Sequence, residues 1–270
     1  EAQVKGLEPG VITLHPHPIT VLKPEITARY LTSLEERITL LKEHGAKWVA
    51  PLTFTSELAE MTAEELAEEL YKTLGMRLLV LGPDAAFGRG APQDTVDRME
   101  TLGKKIGFET ITIKPFLVSD ERCSSTRIRK ALDEGLMEEV KILLGRYYRL
   151  AGPVVHGYER GRTLGYPTAN ISVAANRSLP ALGVYATRAF LQGDKTTYYG
   201  ATNIGKRPTF DEGHLSIETH LLDYDGNLYD KRMEIELITR IRGEKTFEDL
   251  NMLRTQIAED VARIRDITND

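Results

Sequence analysis

The run LSIETHLLDYDGNLYDKRMEIELITRI, residues 215–241, decides the fold of the second half of this chain. Leu215, Ile217 and Leu221 alternate with Ser216, Glu218 and His220, a period of two that puts the apolar set on one face of a strand and the polar set on the other. Asp225-Gly226-Asn227 is a hairpin signal, because these residues accept the backbone angles of a tight turn. Met233 to Ile241 then reads as the returning strand. Upstream, the same turn-bounded pattern recurs at Tyr148 to His156, Gly183 to Leu191 and Thr197 to Ile204. Regularly spaced strands of this kind predict a small antiparallel β-barrel. Downstream, Leu250, Leu253, Ile257, Val261 and Ile264 form one stripe of a C-terminal helix running from Thr246 to about Asp266, suited to packing on that barrel.

The first half has a different rhythm. Val11 to Leu14, Lys47 to Leu52, Arg77 to Leu81 and Thr110 to Ile113 read as strands, separated by helical patterns. Ser33 with Glu36, and Thr62 with Glu65, form capping boxes ahead of apolar helical repeats, and Gly45 and Gly75 stop those helices. Alternating strand and helix predict a parallel, doubly wound α/β domain. Two short helices, Thr126 to Glu134 and Met137 to Leu144, close this half at Gly145. The expected fold class is α/β plus β, with domains at 1–145 and 146–270.

A chain of 270 residues accommodates two cores. With 41% hydrophobic and 28% charged residues the balance is that of a globular protein, and no apolar run is long enough to cross a bilayer. The first residues, Glu1 to Gly6, lack both a secretory apolar core and an initiating Met, so they read as an internal start. Cys123 is the single cysteine, which excludes an intrachain disulfide and a thiolate metal cage and suits a reducing cytoplasm. A net charge of -5 disfavours general attachment to nucleic acid and leaves small anionic ligands as the better fit. Sequence leaves the oligomeric state undetermined.

The segment Gly165-Tyr166-Pro167-Thr168-Ala169-Asn170 follows a glycine- and arginine-rich run containing His156, Gly157, Arg160, Gly161 and Arg162. Glycines let backbone approach a ligand, arginines offset phosphate charge, and the oxygens of Thr168 and Asn170 are donors that a hard cation accepts. A surface turn explains the same residue types. The string matches the G-[YF]-P-T-A-N signature and so resembles riboflavin kinases. Three later segments resemble that family in order and spacing: Asn203-Ile204-Gly205-Lys206-Arg207-Pro208-Thr209-Phe210, Glu218-Thr219-His220-Leu221-Leu222-Asp223 and Arg242-Gly243-Glu244-Lys245. The resemblance implies that Thr168 and Asn170 hold ATP with Mg2+, that Gly157, Arg160, Gly161 and Arg162 cover the phosphates, and that Glu218 accepts the riboflavin hydroxyl proton. It also implies that Arg242 and Glu244 lie near the flavin, with FMN as product. By periodicity alone Glu218 is an ordinary solvated carboxylate. His156 and His220 lack the spacing of zinc ligands and read as structural.

The first half resembles the FMN adenylyltransferase module of bacterial bifunctional flavin-synthesis enzymes, a Rossmann-like nucleotidyltransferase. The segments that carry this are Thr13 to Pro18 with His17, Gly82 to Gly90 with Asp84 and Phe87, and Cys123 to Arg129 with Ser124, Ser125, Thr126 and Arg129. Serines and a threonine opening a helix make a sensible anion site, and equally an ordinary N-cap. Ala85 and Gln93 depart from the family pattern. So does the lack of a G-x-F-D-G-x-H-x-G-H segment, which the pattern places with a first strand ahead of Glu1. Enzyme, non-catalytic flavin or nucleotide binding module, and nucleic-acid-binding barrel are the rival functions; the motifs favour the enzyme. Charge growing on the triphosphate needs preorganised donors, so this chain is expected to make FMN but little FAD. Chromatography of a time course with riboflavin, excess ATP and Mg2+ checks this, and FAD accumulating as fast as FMN would refute it.

Overall fold

The computed structural model describes residues 1–90, 95–157, 161, 164–206 and 215–269. In chain order the elements are β1 (Gly10–His15), α1 (Pro18–Leu22), α2 (Leu34–Glu43), β2 (Trp48–Thr53), α3 (Ser56–Glu60), α4 (Ala63–Leu74), β3 (Leu78–Leu81), α5 (Thr95–Ile106) and β4 (Glu109–Thr112). There follow β5 (Leu117–Val118), β6 (Glu121–Arg122), α6 (Ser125–Glu134), α7 (Met137–Leu144), β7 (Tyr148–Val155), β8 (Ala169–Ile171) and β9 (Gly183–Leu191). The remainder is β10 (Thr197–Lys206), β11 (Leu215–Leu221), β12 (Arg232–Arg242) and α8 (Leu250–Asn269). Contacts divide the chain into two units, 1–122 and 123–270. Thus α6 and α7 pack with the barrel, where the Ala181 N–H donates to the Leu132 carbonyl at 2.8 Å.

In the first unit the strands pair in parallel, β1 with β2 and β3 with β4, as two separate two-stranded pairs. The expected caps form. Ser33 and Glu36 complete one box and Thr62 and Glu65 another, each satisfying helix N–H groups that have no partner in the helix. Gly75 ends α4 in the left-handed conformation that glycine adopts without a Cβ clash. Ala63, Ala67, Leu81, Met99, Leu102 and Phe108 form this unit's buried core beneath α4 and α5.

In the second unit six antiparallel strands close in the order β10-β11-β8-β7-β12-β9. Tyr185, Thr187, Thr202, Thr219 and Leu237 are among its fully buried residues. The Thr187 and Thr202 hydroxyls lie 2.9 Å apart, as do those of Thr202 and Thr219, and Thr187 also donates to the Gly200 carbonyl, so buried polar groups satisfy one another.

The last helix departs from expectation at its start. It begins at Leu250, not Thr246, because the Asp249 carboxylate accepts from the Met252 N–H at 2.8 Å and caps it there. Leu250 is exposed. The barrel-facing stripe is instead Val261, Ile264 and Ile267, packed on Val184, Ala186, Leu222 and Ile241.

Removing the α4 cap with Thr62→Ala is expected to destabilise the first unit by about 1 kcal/mol. The single tryptophan, Trp48, lies in that unit, so its fluorescence in a urea titration reports the shift.

Candidate active site

The strand pairings bring three of the barrel's predicted site residues, Asn170, Glu218 and Arg242, into one row. Arg242 on β12 pairs with Val184 on β9, which pairs with Asn203 on β10, then Glu218 on β11, Asn170 on β8 and Val155 on β7. Directly opposed residues share a face. Glu218 therefore sits between the two asparagines, on the face opposite the buried Thr219, as its alternation predicts. Among the described residues nothing hydrogen-bonds or ion-pairs with the side chains of Asn170, Asn203 or Glu218. Glu236 on β12 behaves differently: it is buried and tied by Arg149 at 2.8 Å and by Arg188. One barrel carboxylate is neutralised, and the other is left uncommitted.

Two glycines make the row accessible. A methyl on Gly157 would lie 2.2 Å from the Asn170 amide nitrogen, so only glycine lets the backbone lie over that side chain. One on Gly205 would lie 2.7 Å from a Glu244 carboxylate oxygen and 3.2 Å from the Asn203 amide nitrogen, which puts Glu244 beside the row. A methyl on Gly161 would lie 2.3 Å from the Tyr166 carbonyl and 3.4 Å from the Thr168 hydroxyl, and the Gly161 carbonyl accepts from the Tyr166 N–H at 2.8 Å. Arg160 and Arg162 lie outside the described residues. The His220 Nδ1–H donates to the Pro167 carbonyl at 2.8 Å and its ring meets Tyr166 edge-on, so this histidine fastens the segment carrying Thr168.

A cavity of about 550 Å³ opens beside Thr168, lined by Val154, Pro167, Leu221, Tyr224, Asn227 and Tyr229 among others. Tyr229 stacks on His156 with ring centroids 3.8 Å apart. Asp223, with a positive φ of 56°, turns the chain from β11 into this loop. Arg265 on α8 holds it with two hydrogen bonds of 2.7 Å, which keep the Asp223 carboxyl below the usual carboxylate range. The hairpin signal at 225–227 carries no sign of this cavity, whereas the flanking Tyr224 and Tyr229 line it.

At the β12 end of the row Arg242 makes a largely buried ion pair with Asp260 of α8. His17 caps α1 by accepting from the Ile19 N–H, Asp84 pairs with Arg122 at 2.6 Å, and Phe87 packs on the first unit's core. The Arg122 hydrogen bond holds the Asp84 carboxyl low. In the second unit Ser124 is the N-cap of α6, accepting from the Arg127 N–H, while Ser125 opens the helix and Thr126 and Arg129 follow in its first turns.

The chain thus combines a closed barrel that carries an uncommitted polar row with a unit of parallel strands and helices. A family model described as riboflavin kinase matches residues 144–268, and one described as FAD synthetase matches residues 1–127. Bifunctional riboflavin kinase/FMN adenylyltransferases are similar throughout. That of Escherichia coli K12 is 33% identical over 98% of this chain and 84% of its own length, and that of Bacillus subtilis 33% over 96% and 82%. A crystal structure from Streptococcus pneumoniae, named a macrolide-efflux protein, matches with a TM-score of 0.89 at 30% identity, covering 98% of this chain and 85% of that one. Among the described residues no helix is long and apolar enough to cross a membrane. The chain belongs to the bifunctional riboflavin kinase/FMN adenylyltransferase family, enzymes of flavin cofactor biosynthesis that use ATP with riboflavin and FMN.

Gly157→Ala must push the Asn170 amide out of the row. It is expected to raise the KM for ATP by about tenfold, equivalent to about 1.4 kcal/mol, with little change in the barrel's melting temperature. Paired kinetics and thermal unfolding check both halves of that expectation.

Proposed function

We propose that the barrel unit transfers the γ-phosphoryl group of ATP to the 5'-hydroxyl of riboflavin, in the cytoplasm, with Glu218 as the proton acceptor. The observation that carries this is the uncommitted Glu218 carboxylate between Asn170 and Asn203 on one face of the barrel. A cavity of about 550 Å³ walled by aliphatic groups and two tyrosines suits a nucleotide base. Thr168, at its inner edge, would then lie on the phosphate side. Gly157 and Gly161 bring backbone close to Asn170 and Thr168, and Arg160 and Arg162, by resemblance, offset phosphate charge.

The donor chemistry also fits a magnesium ion. Thr168 and Asn170 offer neutral hard oxygens, and no cluster of three His, Cys, Asp or Glu suited to a metal occurs among the described residues, so the fitting ion is one held largely by nucleotide phosphates. When bound, such an ion neutralises charge on the transferring group. Glu218 takes the proton as the flavin oxygen bonds to the γ-phosphorus and the bond to ADP breaks. Asn170 and Asn203, as its cross-strand neighbours, restrict where that carboxylate can point. Glu244 and Arg242, at the far end, are assigned to the flavin side.

FMN adenylyl transfer, named for the relatives, is expected to be weak in this chain, and His17, Asp84, Phe87, Ser124, Ser125, Thr126 and Arg129 are the residues that resemble that module. Family membership weighs against a non-catalytic binding module.

Glu218→Gln keeps the shape of the side chain and removes the base. Turnover is expected to fall by a factor on the order of a hundred or more, with ATP affinity largely retained. Steady-state kinetics with equilibrium nucleotide binding provides the check, and near-normal turnover removes Glu218 from the mechanism.

A further inference from the structure

We infer that Asp260 is a positioning residue for the riboflavin end of the site, acting through Arg242 on the turn that carries Glu244. Asp260 lies on α8, only 5% exposed, one residue before Val261 of the helix's barrel-facing stripe. The Arg242 Nε donates to both its carboxylate oxygens, at 3.0 and 2.9 Å, and Nη2 lies 2.8 Å from Oδ2. Nη1 of the same arginine donates to the Gly243 carbonyl at 3.0 Å. Gln256, one helical turn before Asp260, donates to it at 3.2 Å and accepts from the Lys245 ammonium at 2.7 Å. Residues on both sides of Glu244 are thereby fastened to one face of α8, while the Glu244 carboxylate stands against Gly205 and Asn203.

A guanidinium bound at both carboxylate oxygens has little freedom to rotate, because the paired geometry is planar and directional. Arg242 occupies the last position of β12 and pairs in register with Val184, so fixing its side chain fixes where the strand ends and where the turn departs. Breaking such a pair by removing one member leaves the other charge largely buried and free to seek a new partner. The turn would then lose its direction before the barrel lost its fold. The nucleotide cavity is lined by other segments and should be spared.

This inference rests on the assignment of Glu244 to the flavin side, so Asp260→Asn and Glu244→Gln are measured together in the full chain. Asp260→Asn is expected to raise the KM for riboflavin about tenfold and to leave the KM for ATP within about twofold, and Asp260→Glu, which keeps the charge, should recover part of the loss. If Asp260→Asn does not fold, Asp260→Glu carries the test with the same direction and a smaller rise. A riboflavin KM unchanged in Asp260→Asn while Glu244→Gln raises it overturns the positioning role and leaves the site assignment standing. Unchanged values in both variants overturn the assignment of Glu244 and the inference with it. An equal rise in both KM values reduces Asp260 to a structural residue.

Discussion

Closure of the β-sheet is the constraint on which the catalytic half depends. In a closed sheet every strand has two neighbours, so the register of one is fixed by all the others, and a slip of one residue would turn each side chain to the opposite face. Glu218 stands between two asparagines because β11 is held by β10 on one side and β8 on the other. The chained hydroxyls of Thr187, Thr202 and Thr219 reinforce that register from within, since a slip would strand buried oxygens without partners.

Around this frame the polar residues divide by commitment. Glu236, Asp260 and Asp223 are each bound by arginine and contribute to architecture. Asn170, Asn203 and Glu218 are not bound among the described residues, although Asn170 is 7% exposed. Polar side chains left without a protein partner on one face are the natural candidates for ligand contacts. The final helix reaches Arg242 in the row through Asp260, and the cavity loop through the Arg265 to Asp223 pair.

Much of this was legible in local patterns. The alternation of residues 215–221 gave the inward and outward faces of β11, and the two capping boxes marked α2 and α4, because both signals depend on neighbours within a few positions. The three-residue strand β8 was hidden: Pro167 and Gly165 read as a turn, and Ala169 to Ile171 is too short to show a period. Helix α5 and the short helices α1 and α3 also went unmarked, and the start of α8 was misplaced because Asp249 looked like one more polar residue in a charged linker. The Arg242 to Asp260 pair spans 18 residues and joins a strand to a helix, so no periodicity could reveal it. Placement of the site residues in a single row was likewise invisible, since register is a property of the whole sheet.

β12 hydrogen-bonds to both β7 and β9, and it follows them in the chain. A polypeptide leaving the ribosome therefore offers β7 to β11 with the central asparagines and Glu218 already synthesised but with two strands still lacking their neighbour. Such a nascent barrel presents open edges of the kind that recruit chaperones or stray strands. Activity in the barrel must consequently switch on late in synthesis, when one strand seals the sheet from both sides.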